Sequence, residues 1–265
     1  MKLFEILDEE LGISVGVLLY YEKQNTILIE LQEYLDEWTA PLLFTSFVKQ
    51  GVYSIPRDIS YLWVKERVIP CGRQNINAIL KNHRIDSYDE MKFLELSRGR
   101  CSQDSMYIRP LDELPFYVME RSIKNLKECA VIGESTLLCF FADGTTRKID
   151  IKDLSRLEGV DKILKNRALF ESCCIGPGGY FMTFDDAIDI GRDELYGAGV
   201  EIPISMEEMT LFFRNNVFDT SACCDMLECT RQNLRYLLRK QEISPIKENV
   251  KGNLYYKGDV LKTRW

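Results

Sequence analysis

The sequence predicts an α+β protein: a multi-part body with small antiparallel sheets, followed by a C-terminal helix, turn, helix and hairpin. Three observations carry that prediction. Ile13 to Tyr21 (ISVGVLLYY) and Thr26 to Leu31 (TILIEL) are apolar, β-branched runs around the polar turn Glu22-Lys23-Gln24-Asn25, the pattern of a β-hairpin with a largely buried first strand. Leu137 to Phe141 and Thr146 to Ile151 repeat it around Ala142-Asp143-Gly144-Thr145. From Ala222 to Leu238 apolar residues recur instead at helical spacing.

In chain order, residues 3–31 read as strands. Leu42 to Val48, closed by Gly51, is a short apolar helix or strand leading into Ile55-Pro56. Ile59, Leu62, Trp63, Val64 and Val68 form the next apolar segment, which Pro70 and Gly72 end. Ile76, Ile79 and Leu80 begin a helix, and Met91, Phe93, Leu94 and Leu96 mark another between Tyr88 and Leu96. These segments make up an N-terminal α+β region, residues 1–125. The runs LWVKERVIPCGRQNINAIL and YDEMKFLELSRGRCSQDSMYI resemble a small segment that precedes the kinase proper in some HipA-type kinases. That resemblance transfers no catalytic residue. The sequence has no glycine-rich phosphate loop, no His-Arg-Asp and no Asp-Phe-Gly.

Residues 126–202 make a second small α+β domain. After the Leu137–Ile151 hairpin comes a helical or loop passage, Asp153 to Leu169. Cys173 to Ile175 and Tyr180 to Phe184 then read as strands about the turn Gly176-Pro177-Gly178-Gly179. The stretches FADGTTRKIDIKDL, LFESC and GGYFMTFDDAIDIGRDELY resemble a small bacterial α+β domain of uncharacterised function, which implies a fold and no reaction. Gly197 to Met206, with Gly197, Gly199 and Pro203 as breakers, reads as the linker onward.

The terminal module, residues 203–265, is the most patterned part. Asp219, Thr220 and Ser221 suit an N-cap, and Ala222, Cys223, Met226 and Leu227 follow at helical spacing. Glu228-Cys229 makes a turn, and Thr230 caps a second helix with Asn233 three residues on. At about 100° per residue, Leu234, Leu237 and Leu238 fall on one side of it and Arg231, Gln232, Arg235, Tyr236 and Arg239 on the other. Arginine can bridge two guanine acceptors in a DNA major groove, and glutamine or asparagine can bridge adenine; a solvated basic face gives the same stripe. Pro245, a hairpin closed by Lys251-Gly252-Asn253, Tyr255-Tyr256 and Asp259-Val260 complete the order.

This order resembles the winged helix-turn-helix of MerR-type and excisionase-type proteins. The resemblance implies that the basic helix reads bases and that the hairpin is a wing on the phosphates. The implied DNA-contacting set is Thr230, Arg231, Gln232, Asn233, Arg235, Tyr236 and Arg239 on the helix, with Lys247, Lys251, Asn253 and Tyr255 on the wing. The long dimerising helix of MerR regulators does not follow Trp265 in this sequence, so MerR-style effector chemistry is not expected.

Charge divides the same way. Of 34 Lys/Arg and 41 Asp/Glu, residues 219–265 hold nine and six, leaving 25 against 35 elsewhere. A basic tail on an acidic body fits a DNA-reading end joined to a part with another task, and also simple solubility. There is no run of 18 apolar residues, and the acidic MKLFEILDEE start is not a leader pattern, so neither a membrane span nor a signal peptide is expected. Nine scattered cysteines without a CxxC fit reduced thiols in a cytoplasm.

No cofactor or metal is expected. His83 lies in a polar turn, and Cys223, Cys224 and Cys229 read as packing thiols. Asp185, Asp186 and Asp189 read as a solvated loop, and Gly176-Pro177-Gly178-Gly179 lacks the Lys-Ser/Thr of a phosphate cradle. The expectation is a cytoplasmic regulator, not an enzyme, that binds double-stranded DNA as a homodimer, since one module reads few base pairs. The rival is a protein-interaction factor (antitoxin, inhibitor or adaptor) holding a protein partner through the N-terminal body.

Overall fold

Ile13 to Tyr21 is apolar at nearly every position, and the sheet it sits in shows why. In the computed structural model, which describes residues 1–204 and 206–240, β1 (Lys2–Asp8), β2 (Ile13–Tyr21) and β3 (Thr26–Leu31) pair antiparallel in succession. Asn25, in the left-handed region at φ 47°, closes the β2–β3 turn. Successive side chains of a strand point to opposite faces, and both faces of this sheet are covered. Leu18 and Tyr20 enter one core with Phe4, Ile6, Ile27 and Ile29, whereas Val17 and Leu19 enter another with Leu3 and Leu28. Gly16 cannot be larger: a Cβ there would collide with the Glu30 carbonyl on the adjacent strand.

Helices cover the first face. After α1 (Thr45–Lys49) and the two-residue edge strand β4 (Ser54–Ile55), Pro56 leads into α2 (Arg57–Arg67), which buries Ser60, Trp63, Val64 and Arg67 at i, i+3, i+4 and i+7. The Ser60 hydroxyl accepts from Ile29 N–H at 3.1 Å and donates to the Ile55 carbonyl at 3.2 Å, which seats α2 on β3. The helix α3 (Ile76–His83) follows, and then α4 (Glu90–Ser97), capped by Asp89 and burying Met91, Phe93 and Leu94. β5 (Met106–Leu111) returns to pair antiparallel with β1, giving the order β4-β3-β2-β1-β5. On the second face lie Val118 of α5 (Phe116–Ser122), Tyr180 and Phe181.

A third core fills the rest of the body. β6 (Leu126–Val131), β7 (Thr136–Phe141) and β8 (Thr146–Asp150) form a meander, with a register shift between Leu126 and Glu128. The return strand ends at Asp150, one residue before the expected Ile151, where a 3-10 turn begins. The expected helical passage splits into that turn, α6 (Val160–Lys165) and α7 (Arg167–Glu171). β9 (Cys173–Ile175), β10 (Phe181–Phe184) and β11 (Ile188–Gly191) make a three-stranded sheet leading into α8 (Arg192–Ala198). The expected linker is corrected in its first half. Gly197 and Ala198 close α8, and β12 (Val200–Glu201) adds to β8 as a fourth strand.

Two ion pairs that share one buried carboxylate connect these pieces. Glu30 of β3 is wholly buried, and its carboxylate accepts from Arg192 at 2.8 Å and from Arg121 of α5 at 2.6 Å. Ser54 bonds both Glu30 oxygens at 3.0 Å and accepts from Arg192 at 2.7 Å. Arg192 stacks on Tyr180 at 4.4 Å and donates to Asn125, whose amide reaches the Gly178 carbonyl at 2.7 Å. Buried charges persist when paired and hydrogen-bonded. Met1–Pro203 accordingly forms one compact unit, and the expected division at 125/126 falls inside it, between α5 and β6.

The second unit is Ile204–Trp265. Its described part comprises α9 (Met206–Asn216), α10 (Thr220–Met226) and α11 (Arg231–Arg239).

Candidate nucleic-acid interface

The local signals that place α10 and α11 are caps. The Asp219 carboxylate accepts from Ala222 N–H at 2.8 Å, and the Thr230 hydroxyl accepts from Asn233 N–H at 3.3 Å. Each satisfies a backbone donor that the first turn of a helix leaves open. Between them Leu227 ends α10, Glu228 turns left-handed at φ 47°, and two backbone bonds close the corner: Cys229 N–H to the Cys224 carbonyl (3.0 Å) and Glu228 N–H to Asp225 (3.2 Å).

α11 divides by face. Leu234 is buried and Leu237 and Leu238 are half-buried, while Arg231, Gln232, Asn233, Arg235, Tyr236 and Arg239 are exposed. Arg231, Arg235 and Arg239 recur every four residues and so form one stripe. Thr230, the cap, is exposed at its amino end. Arg231, Gln232, Arg235, Tyr236 and Arg239 thus share one side of the helix, and Asn233, about 200° round from Arg231, lies apart from them. The wing candidates Lys247, Lys251, Asn253 and Tyr255 lie outside the described residues. Lys240 was missed by the sequence reading. Its ammonium sits 4.7 Å from the Tyr236 ring, and the signal for it is its spacing of four residues from Tyr236 on the same side.

The apolar face expected of α10 is corrected. Ala222 and Cys223 are half-buried, but Met226 is 64% and Leu227 44% exposed. Spacing assigns residues to a face; it does not supply a neighbour to cover them.

Elsewhere the charged and thiol candidates take structural places. Arg57 forms ion pairs with Asp186 and Asp189 and lies over Phe181 at 5.0 Å. Burial raises the Asp189 carboxyl above its ordinary range against the opposing pull of Thr183 and Arg57. His83 ends α3, exposed. The Gly176–Gly179 turn packs on β6, since a Cβ at Gly179 (φ 77°) would collide with the Leu126 carbonyl. Cys129 pairs with the fully buried Cys139 across β6 and β7; the neighbouring Cys173 and burial hold the Cys129 thiol far above its usual range, and Cys129 lowers that of Cys173. Among the described residues no group of three or more His, Cys, Asp or Glu is placed to hold a metal ion, and no helix is long and apolar enough to cross a membrane. No protein-family model, no curated protein and no solved structure matches the chain.

Proposed function

We propose that the chain is a sequence-specific DNA-binding regulator of the reducing cytoplasm, whose terminal unit is a winged helix-turn-helix with α11 as the reading helix. The observation that supports this most is the separation of faces on α11: leucines inward, and three arginines with a glutamine and a tyrosine outward. In this reading Arg231, Gln232 and Arg235 meet base edges, where a bidentate arginine discriminates guanine. Thr230 and Arg239 flank them on the backbone, and the hairpin residues Lys247, Lys251, Asn253 and Tyr255 contact phosphate and sugar. A second copy supplies the other half-site. The acidic body, 25 Lys/Arg against 35 Asp/Glu outside residues 219–265, is kept off the duplex by its own charge.

The test is selection of bound duplexes from a random pool by the full chain. A defined consensus that is lost when Arg231, Gln232 and Arg235 are all changed to alanine supports the reading. A consensus that survives those changes, or no salt-dependent binding at all, ends it. The second reading, a protein-interaction factor, draws on exposed Phe116 (70%) and Met119 (47%), one turn apart on α5. It requires one stoichiometric protein partner and an unselective duplex pool.

A further inference from the structure

The corner that aims α11 holds two thiols in a defined relation. The bonds from Cys229 N–H to Cys224 and from Glu228 N–H to Asp225, with Glu228 left-handed between them, are the paired closure that ends many helices. That closure brings the side chain after the left-handed residue against the one five positions earlier, a contact usually made by two hydrophobic groups. Here both are cysteines. They are free and both half-buried. Desolvation and Cys229 push the Cys224 thiol above its ordinary range, with Arg231 opposing. A disulfide needs α-carbons within about 7 Å, and the backbone bond between these same two residues holds them close. Cys223, the neighbour of Cys224, has no such closure bond to Cys229; its carbonyl accepts from Leu227 instead.

We propose that Cys224 and Cys229 are a peroxide-responsive dithiol–disulfide pair that sets the rigidity of the α10–α11 corner. Either sulfur can attack first, and the products are the same; Cys229 serves as the attacker here. As thiolate it takes one peroxide oxygen, the O–O bond breaks, and the other oxygen leaves as hydroxide, giving a sulfenic acid at Cys229. The Cys224 sulfur then attacks the Cys229 sulfur, the S–S bond forms, and the sulfenic oxygen leaves as water with the Cys224 proton. Two thiols and one peroxide become one disulfide and two waters. Cys229 directly precedes Thr230, the cap of α11, so the new bond fixes the entry of that helix. The inference concerns the corner itself and holds whatever α11 contacts.

The experiment treats the full-length protein with hydrogen peroxide, blocks the remaining thiols with iodoacetamide, and maps tryptic peptides by mass. The peptide from Asn215 to Arg231 holds Cys223, Cys224 and Cys229. It is expected two hydrogens lighter, with Cys223 alone alkylated and no backbone fragments between 224 and 229. Dithiothreitol should restore it. Cys223→Ser should keep the link, and Cys224→Ser and Cys229→Ser should each abolish it. Amide exchange across Leu227 to Asn233 should slow about tenfold on oxidation in the parent protein and stay unchanged in Cys229→Ser. Three results overturn the proposal: Cys224 and Cys229 both alkylated while Cys129 and Cys173 have linked, a link through Cys223, or a 224–229 link with exchange across the corner unaltered. The mass readout on the parent protein does not depend on any variant folding.

Discussion

Three arginines of the body and three of the terminal unit are used in opposite ways. In the body, Arg67, Arg121 and Arg192 have side chains 4%, 15% and 2% exposed. Each lies against both a carboxylate and an aromatic ring: Asp104 and Trp63, Glu30 and Tyr117, Glu30 and Tyr180. In the terminal unit Arg231, Arg235 and Arg239 are exposed along one helix. A guanidinium enclosed by a carboxylate and a ring has its terminal nitrogens hydrogen-bonded within the fold and helps hold it together. One held out at regular spacing keeps its donors for something else. Residue type does not distinguish these uses; surroundings do.

Breaking the contrast at its buried end should have the largest effect. Glu30→Ala leaves Arg192 and Arg121 without their shared carboxylate, and stability should fall by about 3–5 kcal/mol, read as a lower urea midpoint. A loss below about 1 kcal/mol would mean these arginines are not structural. Next is Leu234→Ala, which removes the buried anchor of α11 and should cost about 2–5 kcal/mol. Hydrogen exchange should localise that cost to α10 and α11; loss of protection across the body would contradict two independent units. Arg235→Ala should leave the urea midpoint in place while weakening cognate duplex binding by about 1–3 kcal/mol. If it shifts the midpoint instead, the exposed stripe is structural after all.

Smaller effects sharpen the comparison. Burial raises the Tyr88 phenol to about 12, above the roughly 10 of an unfolded tyrosine, and its hydroxyl donates to the Ile69 carbonyl at 2.7 Å. A folded value above the unfolded one gives stability that is complete below the unfolded value and lost as pH rises towards the folded one. The body should therefore weaken between about pH 10 and 12, with tyrosinate absorbance lagging that of free tyrosine. Absorbance rising as a single step at the free-tyrosine position would remove the burial argument. Lys251→Ala should act least, lowering affinity for every duplex alike and reducing the log–log salt slope by about 0.9. A sequence-dependent loss would place Lys251 on base edges.

The local parts of this structure were legible in the sequence. The β2–β3 and β7–β8 hairpins announce themselves by apolar runs around polar turns, and Asp219 and Thr230 announce the amino ends of α10 and α11. The non-local parts were not. β5 pairs with β1 across about a hundred residues, and nothing in MYIRPL specifies that partner. The Glu30–Arg192 pair spans 162 positions, so no spacing rule could connect two charges that look like any others in a charged sequence. β12 was read as linker because its two residues gain their ladder only from β8. For the candidate interface, the sequence placed Arg231, Gln232, Arg235, Tyr236 and Arg239 on one face but could not show that Met226 and Leu227 would stay uncovered.

The reach of the Glu30–Arg192 pair has a consequence for synthesis. As the chain leaves the ribosome, β1 to β3 can pair among themselves early, but the face carrying Glu30 holds a carboxylate whose countercharges arrive late. Arg121 follows 91 positions on and Arg192 another 71 after that. Val118 of α5, then Tyr180 and Phe181, cover Leu3, Val17, Leu19 and Leu28 as they emerge, but Glu30 lacks Arg192 until α8 follows. Nascent chains stopped before α5 should therefore expose that apolar face, and chains stopped before α8 leave Glu30 without Arg192; both are species that chaperones retain. Closure of the body is in effect a checkpoint on having translated Arg192.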